Sequence, residues 1–455
     1  MDYLELAKQV VAKAARHRVD ADAYIRISQQ SNISVDRAQV EKLSHSGSKG
    51  IGLRVLRDGK MGYAYTSDFG EESLADIVDS ALALMEAADG DEYRVLPELS
   101  LSEESGEADE DLNIYDESIL TTSMDDKVGF ALQVEKAALS YSDKVAMTNC
   151  YTYLDGAHTI YLANSRGFAS QYQGSFAASF VMAIGRDGDE QTQAFGLDAS
   201  TSLSELNAVQ IGEKAAERAT RLLGGKPVPT QQVPVVFDPI VTAGLLGTLA
   251  QALNAEAMQR GRSYLADKMG QEVACDMVTL LDNGRLPGGL GSRPFDDEGV
   301  PTRATRLVDE GILQAVIYDT YTANKAGTQS TGNALRDSHR TPPTLAPSNF
   351  YLQPGQQSPE EIIASVENGF YVVNAMNTGG INPVAGEYSS AASGLWIENG
   401  ELTYPVNEVT IAASLNDMLH SITAVGNDLT FVPFMGSIGA STLRIDTMMV
   451  GGQTG

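Results

Sequence analysis

The stretch Ile51-Gly-Leu-Arg-Val-Leu-Arg-Asp-Gly-Lys-Met-Gly-Tyr-Ala-Tyr-Thr66 decides the fold class. Ile51, Leu53 and Val55 fall on every second position, the period of a half-buried strand. Asp58-Gly59 is a hairpin turn pair, and Met61 to Thr66 returns antiparallel to the first run. Upstream, Ala21, Ala23, Ile25 and Ile27 alternate in the same way. Helices flank these strands. Leu4, Ala7, Val10, Val11 and Ala14 recur at helical spacing over residues 2–17, and Leu74, Ile77, Val78, Ala81, Leu82 and Met85 mark a second helix. The pattern is α+β: an antiparallel sheet with helices beside it.

A similar order follows downstream. Val128, Ala131, Leu132, Ala138 and Leu139 predict a helix, with strands at 146–154, 158–163, 168–173 and 175–185. Asp155-Gly156 and Asp187-Gly188 are expected to be turns. Leu203, Leu206, Val209, Ala216, Ala219 and Leu223 predict another helix, ended by Gly224-Gly225-Lys226-Pro227. Beyond Pro227 the texture changes. Val233 to Phe237 is a short apolar strand, and Pro239 opens a helix through about Met258. Short β-like runs then recur at 276–281, 305–309, 312–318, 395–398, 402–404, 408–412 and 443–450, with one helix over Glu360 to Glu367 opened by Ser358-Pro359. The expected layout is an N-terminal α/β domain over 1–100, a central α/β region over 112–226, and a β-rich, barrel-like domain over 227–455.

The 455 residues carry a net charge of -28, and half of it lies in one place. Between Glu86 and Asp126 there are 15 acids against one base, Arg94, which is -14. Leu101 to Asp111 is the densest part and reads as an exposed linker. The overall charge argues against direct binding of DNA, RNA or an anionic membrane, which need Lys/Arg patches. The best candidate membrane span, Val241 to Leu253, is broken by Thr242, Thr248 and Gln251. Two cysteines, Cys150 and Cys275, make no disulfide framework, and the N-terminus has no signal-peptide pattern, so a cytoplasmic protein is expected.

Catalytic templates fail one after another. The five histidines, His17, His45, His158, His339 and His420, contain no H-E-x-x-H pair; spacing leaves open only a long-range site from His339, His420 and a cysteine. There is no G-x-S-x-G elbow. Gly224-Gly225-Lys226 lacks the upstream glycine of a P-loop, and Ser46-x-x-Lys49 sits at a strand rather than a helix start. Asp296-Asp297-Glu298-Gly299 offers three carboxylates but reads first as a turn between strands.

Several stretches in order across residues 230–450 resemble the TldD/PmbA family, in its PmbA (TldE) branch. They are Pro294-Phe-Asp-Asp-Glu-Gly-Val300, Asp309-Glu-Gly-Ile-Leu313, Ser330-Thr-Gly-Asn333, Gly386-Glu-Tyr-Ser389, Gly394-Leu-Trp-Ile-Glu-Asn-Gly400, Val425-Gly-Asn-Asp428 and Thr442-Leu-Arg-Ile-Asp446. In the N-terminal half, Gly50-Ile-Gly-Leu-Arg-Val55 and Gly62-Tyr-Ala64 are the clearest family-like strands.

The resemblance implies a cytoplasmic protease assembly acting on unfolded or flexible peptides. Catalytic family members carry H-E-x-x-x-H on the first helix of the C-terminal domain and a cysteine near the C-terminus as third zinc ligand. Here that hexad falls on Leu246-Gly-Thr-Leu-Ala-Gln251, and no cysteine follows Cys275. Both histidine positions (Leu246 and Gln251) and the glutamate position (Gly247) are degenerate, so no catalytic and no metal residue is assigned. The resemblance thus implies a non-catalytic subunit that binds no cofactor itself, with zinc in a TldD-like partner, as heterodimer or homodimer. Thr331, Gly332, Asn333 and Arg336, in a family-typical loop, are the expected peptide-binding residues, Arg336 meeting a peptide carboxylate; a plain structural turn is the competing reading. The alternative function is a homodimeric peptide- or protein-binding protein of the kind labelled a DNA gyrase modulator, without proteolysis.

Overall fold

Asp2 accepts the Glu5 N–H at 3.0 Å and opens α1 (Tyr3–Ala15), whose Ala7, Val10, Val11 and Ala14 are buried. The computed structural model describes residues 1–98, 112–149, 153–376, 381–433 and 437–452. Leu101 to Asp111 and Cys150 therefore lie outside the described residues.

After α1, β1 (Asp20–Asp36) and β2 (Gln39–Arg57) form one long hairpin. It extends well past the alternation at 21–27 and 51–55. Residues 39–49 are exposed on both faces, so no hydrophobic period marks them. The turn, Arg37-Ala38, lies in the left-handed region (φ 53° and 60°). Glu135, buried in the helix at 124–141, accepts both turn N–H groups at 2.9 and 2.8 Å. β3 (Lys60–Thr66) returns through Asp58-Gly59, both with positive φ as a primed hairpin turn requires, and α2 (Glu71–Ala87) covers the sheet.

A one-turn helix α3 (Ser118–Thr121) precedes α4 (Met124–Tyr141), which Ser123 caps. β4 (Val145–Asn149), β5 (Tyr153–Asn164), β6 (Ala169–Asp187), β7 (Glu190–Ser200) and α5 (Ala208–Arg221) follow. Two expectations are corrected here. Asp155-Gly156 is no turn, because β5 runs straight through it. Asp155 is buried and pairs with Lys127 at 2.5 Å, while Tyr153 donates to it at 2.7 Å. A polar residue plus glycine mimics a turn signal, but the aspartate serves an internal ion pair. Gly156 serves close packing, since an added Cβ would lie 2.9 Å from the Gln29 carbonyl. Likewise 168–173 and 175–185 are one strand: a Cβ at Gly174 would strike the His158 ring, so this glycine is packing, not an interruption.

Segments 1–100 and 112–226 share a single seven-stranded sheet in the order β3-β2-β1-β5-β6-β4, with β7 paired to β6. β1 joins the two halves by pairing with β5 from Asp22–Asn164 to Ile33–Tyr153.

β8 (Gln231–Phe237) starts the C-terminal part. Asp238 caps α6 (Pro239–Ala252) with Pro239 in the first turn. The helix ends earlier than Met258: Asn254 begins a separate α7 (Ala255–Gln259). β9 (Leu280–Asn283), β10 (Ala304–Asp309), β11 (Ile312–Leu313), α8 (Thr320–Ala326), β12 (Ala334–Leu335), β13 (Thr344–Leu345) and β14 (Asn349–Leu352) come next. Then follow α9 (Pro359–Ala364), β15 (Asn368–Met376), β16 (Glu387–Glu398), β17 (Glu401–Ser414), α10 (Leu415–His420), β18 (Ile422–Val425), β19 (Thr430–Val432), β20 (Ser437–Ala440) and β21 (Leu443–Gly451). Ser358 caps α9, as the Ser-Pro opening predicted, and also forms a reciprocal capping box with Glu361; the helix ends at Ala364 rather than Glu367.

Strands β17-β16-β15-β8-β21 close on themselves, because β21 pairs back onto β17. The barrel-like expectation is met, and the fold is α+β. A second sheet runs β11-β10-β9-β14-β20-β19. α6 sits between the two, touching β8 and β15 of the barrel and β14, β19 and β20 of the second sheet. Ten of its 14 residues are buried, which explains an apolar helix with no polar face. No helix among the described residues is long and apolar enough to cross a membrane.

Candidate functional site

Three places bear on function: the α6 hexad, the loop at 330–336, and the carboxylate run at 296–298. On α6, Leu246 is 2% exposed in the main C-terminal core, beside Leu245, Leu249 and Leu253. Gly247 is buried, and a Cβ there would meet nothing within 4 Å. Gln251 faces outward. These positions therefore do not fit a zinc ion. Leucine carries no donor, its side chain is committed to the core, and glycine offers no general base. Among the described residues, no three His, Cys, Asp or Glu side chains gather as a metal set. His339 is buried against Gly50, 3.3 Å from the Ser67 hydroxyl, whereas His420 lies against the Asn416 carbonyl and Glu272. Burial and the nearby Arg340 lower the His339 pKa.

The loop at 330–336 is built inward. The Thr331 hydroxyl accepts the Tyr318 N–H at 2.7 Å and donates to Asn333 Oδ1 at 2.6 Å. Asn333 Nδ2 donates to buried Asp282 at 2.7 Å. Gly332 has φ 78°, and a Cβ there would sit 2.7 Å from the Pro301 carbonyl. Arg336 is fully enclosed. Its backbone N–H donates to Asp297 Oδ2 at 2.6 Å, its guanidinium pairs with Asp22 at 2.5 Å, and it lies 5.0 Å from the Tyr24 ring centroid. The expected contact of Arg336 with a peptide carboxylate is corrected accordingly: its charge is already spent on Asp22, 314 residues away in sequence.

That pair belongs to a larger buried network. Asp22, on β1, also accepts from Arg54 Nε at 2.6 Å; Arg54 Nη1 donates to Glu298 at 2.8 Å; and Glu298 accepts the Thr320 N–H at 3.0 Å. Asp296-Asp297-Glu298-Gly299 is a turn, closed by Asp296 N–H to the Val300 carbonyl at 2.8 Å with Gly299 at φ 89°. What the sequence does not show is where its carboxylates point. All three are buried, at 0%, 1% and 5% exposure: Glu298 pairs with Arg54 from the N-terminal sheet, and the Asp297 carboxylate accepts the backbone N–H of Arg336. Asp296 instead accepts the backbone N–H groups of Glu298, Val300 and Ala334. Burial and the Glu298 charge still push it up to about 7. The available signal was three consecutive acids next to a turn glycine.

Comparison with known proteins fits this architecture. The chain matches the PmbA/TldA metallopeptidase domain 1 over residues 21–84, the central domain over 117–223 and the C-terminal domain over 230–452. It belongs to the PmbA/TldD family. Among relatives, it is 28% identical to the metalloprotease PmbA homolog of Haemophilus influenzae, over 96% of this chain and 93% of that one. It is 27% identical to the metalloprotease PmbA of Escherichia coli O157:H7, over 99% and 96%. A candidate modulator of a DNA gyrase from Thermotoga maritima has the same fold, with a TM-score of 0.89 at 25% identity over 99% of this chain and 100% of that one. TldE from Thermococcus kodakarensis superposes with a TM-score of 0.89 at 24% identity over 98% and 100%.

Two outcomes follow. Replacing Arg54 with Met leaves Asp22 and Glu298 buried without their shared cation and should cost about 3–5 kcal/mol in denaturant unfolding. A loss under about 1 kcal/mol would show that the network is not structural. For Asp296, an unfolded carboxyl titrates near about 4, so between about 4 and about 7 the folded state holds an extra proton. Unfolding free energy should therefore fall as pH rises through that window, and the Asp296→Asn variant should flatten the slope. Identical slopes for both proteins, in urea titrations at several pH values, would contradict this.

Proposed function

We propose that this chain is the non-catalytic subunit of a TldD/PmbA-type protease assembly, with zinc and the general base supplied by a TldD-like partner. The observation that carries the reading is α6. At the positions where catalytic relatives place two histidines and a glutamate, it has Leu246, Gly247 and Gln251, and Leu246 is locked in the core. Its work there is to join the barrel to the second sheet. The chain's contribution to an assembly would be enclosure and peptide path rather than chemistry. An extended peptide can be held by main-chain pairing along a sheet edge, which needs no fixed side-chain code. The exposed part of β2, residues 39–49, pairs with β1 on one side, while β3 reaches only from Ile51 onward, and exposed Val40 and Leu43 lie on it. That edge is suited to a partner or a peptide.

The likeness to the candidate gyrase modulator supports a second reading, a homodimeric peptide- or protein-binding protein without proteolysis. One assay separates the two. The purified chain, a TldD-like protein with an intact H-E-x-x-x-H helix, and their mixture are each given an unstructured peptide, with and without chelator. The subunit reading expects chelator-sensitive cleavage from the mixture, above that of the partner alone, and none from this chain. Cleavage by this chain alone would contradict the non-catalytic assignment. No gain on mixing, and no complex on size exclusion, would favour the binding-protein reading.

A further inference from the structure

The register of the seven-stranded sheet sets one charge apart. Arg26 on β1 lies opposite Ile160 on β5, and Ser28 lies opposite His158, so Arg26 and His158 are diagonal neighbours on one sheet face. Both side chains are half-buried, and both line a cavity of about 310 Å³ between this sheet and the segments around Leu290 and Pro347. The Arg26 guanidinium donates from Nη1 to the Asp337 carbonyl at 3.2 Å, and no carboxylate among the described residues pairs with it. The other cations of this wall differ. Arg336 is paired with Asp22, and Asp297 is the leading charge partner of Arg293, so both are neutralised where they are buried. In a chain with 60 acids against 32 bases, an arginine left without an acid runs against the composition.

His158 supplies the second group. Its ring packs over Gly174, where an added Cβ would lie 2.7 Å from Cε1, and it meets Tyr172 edge-on at 6.1 Å between centroids. The ring is thus held in place, yet neither nitrogen has a hydrogen-bond partner among the described residues. Burial, Arg26 and Arg293 hold its pKa at about 3, so at neutral pH it offers one uncharged N–H. That donor beside an unpaired guanidinium suits an oxyanion and disfavours a cation. The rest of the wall sets the body of the ligand. Half-buried Leu290, Leu335 and Pro347 and buried Ile160 are apolar. The volume is at the small end of ligand cavities, which span roughly 300–1,000 Å³.

We infer that this cavity binds a small carboxylic acid with an apolar body, its carboxylate on the Arg26 guanidinium and the His158 N–H, its body against Leu290, Leu335 and Pro347. This chemistry is shared by a free acid and by the last residue of a peptide. The site needs neither zinc nor proteolysis, so it stands or falls separately from the cleavage assay.

The test is calorimetric titration of the isolated chain with 4-methylpentanoate, its amide, N-acetyl-leucine and inorganic phosphate. At least one of the two acids should bind at least about tenfold more tightly than the amide, as expected for losing a charge-assisted hydrogen bond. It should also bind more tightly than phosphate, which gains nothing from the apolar wall. Binding of either acid supports the site, and the tighter one tells a free acid from a peptide terminus. Arg26→Gln should weaken the acid at least about tenfold with an unchanged thermal melt. In protein labelled at histidine, the His158 ring signal, identified by its loss in His158→Asn, should move on saturation with the acid and stay in place with the amide. Equal binding of acid and amide, an unchanged affinity in Arg26→Gln, a His158 signal that does not move, or no binding of either acid at millimolar concentration would overturn the site. Phosphate binding as tightly as the acids would overturn the assignment to an apolar carboxylate.

Discussion

Asp22 holds two arginines from opposite ends of the chain, Arg54 of the N-terminal hairpin and Arg336 of the C-terminal loop. Burying a carboxylate costs several kcal/mol, and it is offset here only by near-ideal geometry to both cations. Glu298 extends the arrangement by pairing Arg54 to the turn before β10. The relative placement of the sheet and the C-terminal part rests on these charges together with an apolar cluster in which Phe295 packs against Phe168 and Tyr172. Such a network discriminates sharply against misdocking, since any shift leaves an ion buried alone.

Much of the fold was legible because it follows local rules. The Asp58-Gly59 hairpin, the helix faces of α1 and α2, the capping of α9 and the β-rich C-terminal texture all come from short-range patterns. What escaped has a common physical cause. The Asp155-Gly156 pair looks like a turn locally but answers to Lys127 and to the crowding of Gln29 and Phe176. The outer half of the β1–β2 hairpin is exposed on both faces, so no period marks it. The single sheet shared by residues before and after the acidic stretch of sequence depends on β1–β5 pairing across more than a hundred residues. Long-range satisfaction of polar groups, absent from any window of sequence, made each difference.

The same division applies to function. That α6 lacks metal chemistry was legible from Leu246, Gly247 and Gln251, because donor atoms are either in the sequence or not. That Arg336 faces inward was not legible, because an arginine in a Gly/Asn loop looks the same whether it waits for a ligand or already has Asp22. Arg293 was passed over entirely, although it is buried where the charges of Asp297, Asp296 and Asp282 act on it. The distinction between a spent and an unspent charge exists only in three dimensions.

The central claim is that this chain is the subunit of its assembly without a metal of its own, and native mass spectrometry of the isolated protein after incubation with excess zinc and desalting tests it most directly. The account predicts the mass of the bare polypeptide, with a TldD-like protein treated identically carrying one zinc per chain. One tightly held zinc per copy of this chain, lost on unfolding, would contradict it.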